Sequence, residues 1–564
     1  MPTKNKYFIL AFIAIITLAF AVRIYRLDSW VSPYWEEVAL GYDAYSIAQT
    51  GKDHHGNFLP TVAFESFGDW KPSLYFYTIV PFIKLFGLSV AAVRLPAVLS
   101  GVGIVVGLGV LVKMLSEEME KKKRFLNAKM MQLWAMFITA LNPWAIQFSR
   151  AGWEVNLATA LILWGVIFGF KFLREKSKRQ FVYLIISSFF LILATYSYHA
   201  ARITAPLLGL GLIVSKLCQK KPGSYLKQNW RSLLFIFIFS LTLLTPIIDS
   251  LKSSDISQRF RETSLFSEIG VIEESNHFKE VADNSLISRI IYHRYLLFGK
   301  KIVNNLFQYF NFDYLFISGD SNPRHSTQYF GLFYHFEFFL ILAGIYSLIS
   351  FGKKKNNYLF YWLLVGIIPA ILTKTNPHAL RTLLVLPVWL VFIVFGLNYL
   401  LNLAKRILSN TIRQLSKQQV QLILSSLTFF IYSFFFNWYF NYLINVYPQQ
   451  TAQHWQNGYK GLVNKIVQLQ NSYPDYRFQV SRAEGRPAMY YWFYQQTDPI
   501  EVQQQANQVR LDQGEFLEFN NLEFVDSVDA KPKSVTFSTF AQTGKTDLTN
   551  NCQAVNSIWF YCLN

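Results

Sequence analysis

The stretch Tyr34-Trp35-Glu36-Glu37-Val38-Ala39-Leu40-Gly41-Tyr42 comes shortly after the first long apolar segment, residues 7–24. It places two neighbouring carboxylates beyond a predicted membrane anchor, at the start of an aromatic-rich helix. A second polar run, Gly68-Asp69-Trp70-Lys71-Pro72, follows in the same loop. Charged groups are costly to keep at a membrane face, so both runs are candidates for a functional site.

The composition is that of a multispanning membrane protein. Of the 564 residues, 52% are hydrophobic and 15% are charged, whereas a soluble protein carries about 25% charged residues. Apolar runs of about twenty residues recur along the chain, as membrane-spanning helices require. We attribute the net charge of +19 to cytoplasmic loops rather than to nucleic-acid binding.

Charge decides how the apolar segments are arranged. Residues 73–88, which contain Pro81 and Lys84, are predicted to lie along the membrane surface, because only then do the basic loops 114–129 (with Lys121 to Arg124) and 171–180 fall inside. The N-terminus is then inside and the C-terminus outside. Eleven spans are predicted, at 7–24, 90–113, 130–148, 155–173, 181–198, 201–217, 232–249, 330–351, 357–373, 381–403 and 423–447.

This topology places the polar motifs on the external side, in a first external loop (25–89), a large external loop (250–329) and short turns. Polar groups at one face favour a site at the membrane–water boundary over a transporter, whose binding groups lie near mid-membrane.

From Pro448 the chain becomes more polar. We predict a transmembrane domain at 1–447 and a soluble extracytoplasmic α/β domain at 448–564, with strands at 476–480 and 535–540 and a helix at 488–496.

The charged residues of the first loop have both a catalytic and an ordinary structural explanation. A carboxylate such as Glu36 can act as a general base toward a hydroxyl, but acids in the first turn of a helix are also favoured by its dipole. Lys71 is suited to holding a lipid phosphate, and it is equally explained as an interfacial lysine.

Further polar residues occur in the other external segments. Guanidinium groups suit phosphate binding, whereas a lone histidine in a turn is more often structural. The chain has no phosphate-binding loop, dinucleotide fingerprint, metalloprotease motif or nucleophile elbow, which argues against use of ATP. The polar residues of these other external segments are Arg150 and Glu154, then His199 and Arg202, then Arg324 and His325, and finally His378 and Arg381.

The cysteines leave two alternatives open. Cys552 and Cys562 lie close together near the C-terminus and form a disulfide if that region is extracytoplasmic. Two free thiols explain the same spacing. No spacing typical of a metal site is present.

These motifs make the chain resemble the membrane glycosyltransferases of the GT-C fold, especially the prokaryotic relatives of protein O-mannosyltransferases and of the aminoarabinose transferase that modifies lipid A. The acidic pair of that family, usually Asp-Glu, corresponds to Glu36-Glu37. Its Lys-Pro followed by aromatics corresponds to Lys71-Pro72, and its Arg-Leu-Pro at the second span corresponds to Arg94-Leu95-Pro96. Arg150 and Glu154 match its Ser-Arg turn and following acid, and the likeness covers roughly residues 1–400.

The resemblance implies an all-α polytopic fold and an inverting transfer of a sugar from a polyprenyl-phosphate donor to a hydroxyl of a protein, glycan or lipid. It implies the outer face of a prokaryotic cytoplasmic membrane, and no nucleic-acid partner. The base is expected to be Glu36, with Glu37 and Glu154 as alternatives because Glu replaces the usual Asp. The expected phosphate ligands are Lys71, Arg202, Arg324 and Arg381, and the secondary candidates are Asp69, Arg94, Arg150, His199, His325 and His378.

No metal is required by this chemistry, although Asp69 and Glu154 leave room for a divalent cation. Two other classes of function stay open. A non-catalytic carrier or flippase of lipid-linked glycans predicts polar residues deep in the spans and tolerance of Glu36→Gln. A scaffold predicts that residues 448–564 carry the function.

Overall fold

In the computed structural model, the described residues are 2–120, 127–219, 222–250, 263–351, 356–411, 416–506, 511–512, 514–544 and 551–564. The basic cluster from Lys121 to Arg124 and residues 251–262 of the large external loop lie outside these ranges. The described part is mainly helical, with a small sheet formed near the C-terminus.

Each of the eleven predicted spans contains a helix, and the chain is a multi-pass membrane protein. The topology and the surface position of residues 73–88 stay predictions. In the described ranges, six helical stretches are long and apolar enough to cross a membrane, namely Asn5–Ile24, Val90–Glu117, Glu154–Arg174, Pro222–Ser250, Ala379–Thr411 and Lys417–Asn445. The stretch Ala379–Thr411 consists of the helices Ala379–Thr382 and Leu386–Thr411 with a 3-10 turn, Leu383–Val385, between them. Shorter apolar helices are Leu74–Phe86, Ala128–Leu141, Arg179–Thr195, Glu337–Phe351 and Asn357–Ile371, and a further helix is Ala201–Leu217.

Two predicted spans are wrong in detail. The segment 130–148 is divided into helices Ala128–Leu141 and Pro143–Gln147, because Asn142 is extended and caps the second helix while Pro143 opens it. The segment 330–351 is helical only from Glu337. The residues before Glu337 are bonded to another segment and not within a helix, since the Phe333 N–H donates to the carbonyl of Leu315 at 2.9 Å.

The chain divides into two compact units. The first unit contains Met1–Tyr25 and Ala97–Leu443, and the second contains Arg26–Pro96 and Ile444–Asn564. We predicted a division between 447 and 448. The second unit resumes at Ile444, close to that point, and it also contains most of the first external loop.

Two helices of the first unit cross with their backbones in contact. A Cβ atom added at Gly344 of helix Glu337–Phe351 would overlap the backbone of Phe392, and one at Gly396 of helix Leu386–Thr411 would overlap that of Leu340. Small residues permit such close approach between membrane helices. The large external loop adds the helices Ile269–Val281, Leu286–Ile291 and Arg294–Gln308 to this unit.

The second unit contains the predicted α/β domain. The strands are β1 Ala63–Ser66, β2 Asp69–Pro72, β3 Arg477–Ser481, β4 Leu511–Asp512, β5 Glu515–Phe516, β6 Glu518–Phe519, β7 Leu522–Val525, β8 Ser534–Thr539, β9 Cys552–Ala554 and β10 Trp559–Leu563. The six-stranded sheet of this domain has the order β6-β7-β3-β8-β10-β9, and β3 runs parallel to both β7 and β8. Cys552 and Cys562 form a disulfide between β9 and β10, which decides between the two alternatives. Helices of this part are Tyr459–Ser472, Pro487–Gln495 and Pro499–Gln505.

The helix Trp35–Thr50, here called the acidic helix, packs in the second unit against Pro487–Gln495, here called the tail helix. Gly41 makes the close approach possible, because a Cβ there would lie 2.6 Å from Val93 and 2.7 Å from Phe493. The Tyr42 hydroxyl donates to the carbonyl of Thr497 at 3.0 Å. The C-terminal residues therefore hold the helix that carries the acidic pair.

Candidate functional site

The acidic helix begins as the sequence predicts. Tyr34 is extended, and Glu36 and Glu37 occupy the first turn, where negative charge is favoured by the helix dipole. The helix ends at Gly51, whose φ of 73° suits glycine and whose N–H donates to the carbonyl of Ile47. Because adjacent residues of a helix point in different directions, the two acids enter different surroundings.

Glu37 is held by a buried arginine. Arg94 donates from Nε and Nη2 to the two carboxylate oxygens of Glu37 at 2.7 and 2.8 Å, and both side chains are buried. Arg94 also donates to the carbonyls of Leu27 and Val31 at 2.8 and 3.2 Å. This network fastens the start of the first external loop to the segment that carries the Arg-Leu-Pro motif.

Glu36 pairs with Lys71 instead. Lys71 Nζ lies 2.6 Å from Glu36 Oε1 and 3.5 Å from Asp69 Oδ2. Lys71 belongs to β2, which forms a hairpin with β1 and brings it back to the acidic helix. The Lys71 side chain is 8% exposed, whereas Glu36 and Asp69 are 30% and 31% exposed. A carboxylate that is reachable from outside thus lies against a buried cation.

A second polar cluster in this unit was not predicted. Asp43 Oδ1 accepts hydrogen bonds from the backbone N–H of His54 at 3.0 Å and from its Nδ1 at 2.7 Å. Burial raises the pKa of Asp43 to about 7 and lowers the pKa of His54 to about 4, since desolvation disfavours the charged form of each. The pair ties the loop after the acidic helix back to it.

In the first unit, His325, His378 and the backbone N–H of Ala379 surround the carboxylate of Asp320. Asp320 Oδ2 lies 3.1 Å from His325 Nδ1 and 3.8 Å from His378 Nδ1, and it accepts the Ala379 N–H at 2.6 Å. Burial and the neighbouring charge of His325 lower the pKa of His378 to about 3. Asp320 is not among the candidate site residues predicted from the sequence. The two histidines, separated by 53 positions in the chain, could have been linked only through tertiary structure.

The three arginines predicted as further phosphate ligands have local partners in the first unit. Arg381 donates from Nη1 to the hydroxyl of Thr373 at 2.6 Å and to that of Thr375 at 2.8 Å. Arg202 Nε donates to the carbonyl of Thr195 at 3.4 Å. Arg324 is half-buried, and its carbonyl accepts a hydrogen bond from Gln147 at 3.1 Å. These contacts hold the turns, and phosphate binding by the three arginines stays a prediction.

Arg150 caps the end of the first helix. It is fully buried and donates to the carbonyls of Arg23 and Tyr25, beyond which the first helix does not continue. The C-terminal carbonyls of a helix lack partners within the helix, so a guanidinium group satisfies them. Glu154 begins the next helix and is buried, with its carbonyl accepting from Ser197 at 2.8 Å, and His199 is half-buried.

The geometry can be set beside known proteins. No protein-family model and no curated protein sequence matches the chain. The chain is similar to the solved structure of ArnT from Cupriavidus metallidurans in the apo state, with 9% identity and a TM-score of 0.55 over 99% of this chain and 98% of that one. For the same protein bound to undecaprenyl phosphate, identity is 10% and the TM-score 0.52 over 99% and 98% of the two chains.

These similarities identify the architecture. ArnT, an aminoarabinose transferase, is a membrane glycosyltransferase of the GT-C fold, and this chain has the same fold over nearly its whole length. The fold class predicted from the sequence is therefore confirmed, including the small C-terminal domain. At this level of sequence identity the likeness establishes the fold, and the roles of individual side chains must be argued from their own geometry.

Proposed function

We propose that the protein is an inverting glycosyltransferase that moves a sugar from a polyprenyl-phosphate donor to a hydroxyl acceptor at the outer face of a prokaryotic cytoplasmic membrane. The observation that carries the proposal is the ion pair between the partly exposed Glu36 and the buried Lys71. The GT-C fold supports the choice of donor, since ArnT, which shares it, was solved bound to undecaprenyl phosphate.

Glu36 is the proposed general base. It takes the proton of the acceptor hydroxyl as that oxygen attacks the anomeric carbon from the side opposite the phosphate. The new carbon–oxygen bond forms while the bond to the phosphate oxygen breaks, and the phosphate leaves with the bonding electron pair. Glu37 is a poorer candidate, because both of its oxygens accept hydrogen bonds from Arg94.

Lys71 is the proposed partner of the leaving phosphate. Negative charge develops on that group in the transition state, where a fixed cation lowers the barrier. In the structure the ammonium group pairs with Glu36, so the oxygen that would take the proton is in contact with a cation. We propose that the incoming phosphate draws Lys71 Nζ toward itself and so releases Glu36 for proton transfer. Arg202, Arg324 and Arg381 remain further proposed ligands of the phosphate.

The test is a transfer assay with the purified protein in liposomes. A panel of labelled polyprenyl-phosphate sugars is supplied together with an extract of envelope acceptors, and the anomeric configuration of the product is determined. Wild type is compared with Glu36→Gln and with Glu518→Gln, a matched change at an exposed glutamate of the same unit. We expect Glu36→Gln to reduce transfer by about a hundredfold or more, and Glu518→Gln to leave it unchanged.

The outcomes separate the candidate functions. Inversion of configuration, together with loss in Glu36→Gln alone, supports the proposal. Full transfer by Glu36→Gln moves the base to Glu37 or Glu154. Binding of donor lipid without transfer by wild type, for every sugar offered, overturns the proposal in favour of a carrier of lipid-linked glycans.

A further inference from the structure

Asp320, His325 and His378, here called the aspartate–histidine cluster, have no part in the proposed transfer. Asp320 and His325 lie in the loop that follows residues 313–317, and His378 lies just before the short helix Ala379–Thr382. The side chains of Asp320 and His325 are 2% and 5% exposed, and that of His378 is 18% exposed. Three groups able to bind a cation are thus gathered in a largely enclosed place.

The distances between the ligand atoms suit a small cation. In a tetrahedral zinc site with bonds of about 2.0–2.1 Å, neighbouring ligand atoms are about 3.3 Å apart. Asp320 Oδ2 lies 3.1 Å from His325 Nδ1 and 3.8 Å from His378 Nδ1, and all three ligand atoms lie within 4.8 Å of one another. The separations of the ligand atoms therefore differ from those of a bound zinc site by no more than about 1.5 Å.

His378 provides an independent observation. Its Nδ1 atom is buried and has no hydrogen-bond partner among the described residues. Buried polar atoms are almost always satisfied, so an atom left without a partner calls for an explanation such as an ion. This nitrogen is one of the two that lie near Asp320 Oδ2.

We propose that the aspartate–histidine cluster binds one divalent transition-metal ion, of which Zn²⁺ is the test case. Two imidazole nitrogens and one carboxylate oxygen are ligands that Zn²⁺ and similar ions accept. The three residues leave a fourth position, which a water molecule fills in sites of this kind. The ion joins the loop around Asp320 to the turn at residues 373–378, and this role does not depend on the proposed transfer.

A purely structural explanation competes with this proposal. Asp320 accepts hydrogen bonds from the backbone N–H groups of Asn322 and Ala379 at 2.8 and 2.6 Å, and would join the two segments without an ion. A carboxylate has enough lone pairs to keep both bonds while it binds a metal. The two explanations therefore differ in whether metal binds, and not in whether Asp320 stabilises the fold.

The experiment measures the metal directly. The full-length protein is purified in detergent with an affinity tag that contains no histidine, stripped with EDTA and titrated with Zn²⁺, and the bound ion is counted by mass spectrometry. Co²⁺ is then added in place of Zn²⁺, because its visible absorption reports the coordination geometry. We expect about one ion per chain, a tetrahedral Co²⁺ spectrum and a higher melting temperature with Zn²⁺ than after EDTA.

Variants assign the ion to the cluster. His325→Gln and His378→Ala are each expected to weaken Zn²⁺ binding at least about tenfold. His277→Ala, at an exposed histidine of the same external loop, is the matched control and should bind as wild type does. Wild type that binds no ion, or a Co²⁺ spectrum of a fully hydrated octahedral ion, overturns the proposal without reliance on any variant. Unchanged binding by both cluster variants that elute as folded monodisperse protein also overturns it.

Discussion

The two carboxylate oxygens of Glu37 accept hydrogen bonds from Nε and Nη2 of Arg94 at 2.7 and 2.8 Å, deep in the second unit. The neighbouring Glu36 has 30% of its side chain exposed and pairs with Lys71. The two adjacent glutamates therefore differ in the roles that they can take. One fastens the first external loop, and the other can meet a substrate.

Removal of the arginine should destabilise the protein strongly. Arg94→Gln leaves the buried Glu37 carboxylate without its cation, and breaking a buried ion pair costs about 3–5 kcal/mol. Thermal unfolding in detergent measures the effect, with Arg289→Gln at an exposed position as control. The double variant Glu37→Gln/Arg94→Gln should recover part of the loss, because no unpaired charge remains. Equal melting of Arg94→Gln and wild type would contradict this account of the pair.

Lys71 should matter for transfer more than for folding. Lys71→Met removes the cation proposed to meet the leaving phosphate, and loss of one such group lowers the rate by about 10²–10³-fold. Lys84→Met changes an exposed lysine of the neighbouring helix Leu74–Phe86 and should leave the rate unaltered. The rate of sugar transfer in liposomes is the measurement. A Lys71→Met protein that transfers at the wild-type rate would remove Lys71 from the mechanism.

The crossing of helices Glu337–Phe351 and Leu386–Thr411 should not tolerate a single added methyl group. Gly396→Ala places a Cβ against the backbone of Leu340, which cannot rotate away, so we expect a loss of about 1–3 kcal/mol or more. Gly299→Ala is the matched control, since a Cβ there meets nothing within 4 Å and should gain about 0.5–1 kcal/mol in a helix. Melting temperatures of the two variants should therefore move in opposite directions, and a shift in the same direction would be evidence against the close crossing.

Glu515 should give a pH dependence to its part of the second unit, the two-stranded sheet of β4 and β5. Burial raises its pKa from the ordinary 4.5 to about 7 in spite of the nearby Arg486 and Arg482. The folded form then holds this proton more strongly than the unfolded form, so local stability falls as the pH rises from about 4.5 to about 7. Amide hydrogen exchange of β5 and the residues packed around Glu515 measures this fall, and Glu515→Gln should flatten it. Glu518→Gln, at an exposed neighbouring glutamate, should keep the wild-type slope.

Much of the architecture could be predicted because it depends on local pattern. The helices follow the apolar runs, the strands β3 and β8 follow alternation and β propensity, and the acidic pair opens a helix. Errors arose where a single residue interrupted a run, as at Pro143, or where a segment paired with a distant one, as Phe333 does with Leu315.

Composition, periodicity and short motifs were enough to predict the membrane-spanning character, the GT-C resemblance and the presence of an acidic pair with a lysine. The ion pairs of Glu36 with Lys71 and of Glu37 with Arg94 became apparent only in the folded protein. It alone brought the tail helix against the acidic helix and gathered Asp320, His325 and His378. These contacts form because a buried charged or polar group needs a partner, and the partner can lie far away in the chain. The residues next to it in the sequence do not reveal which partner that is.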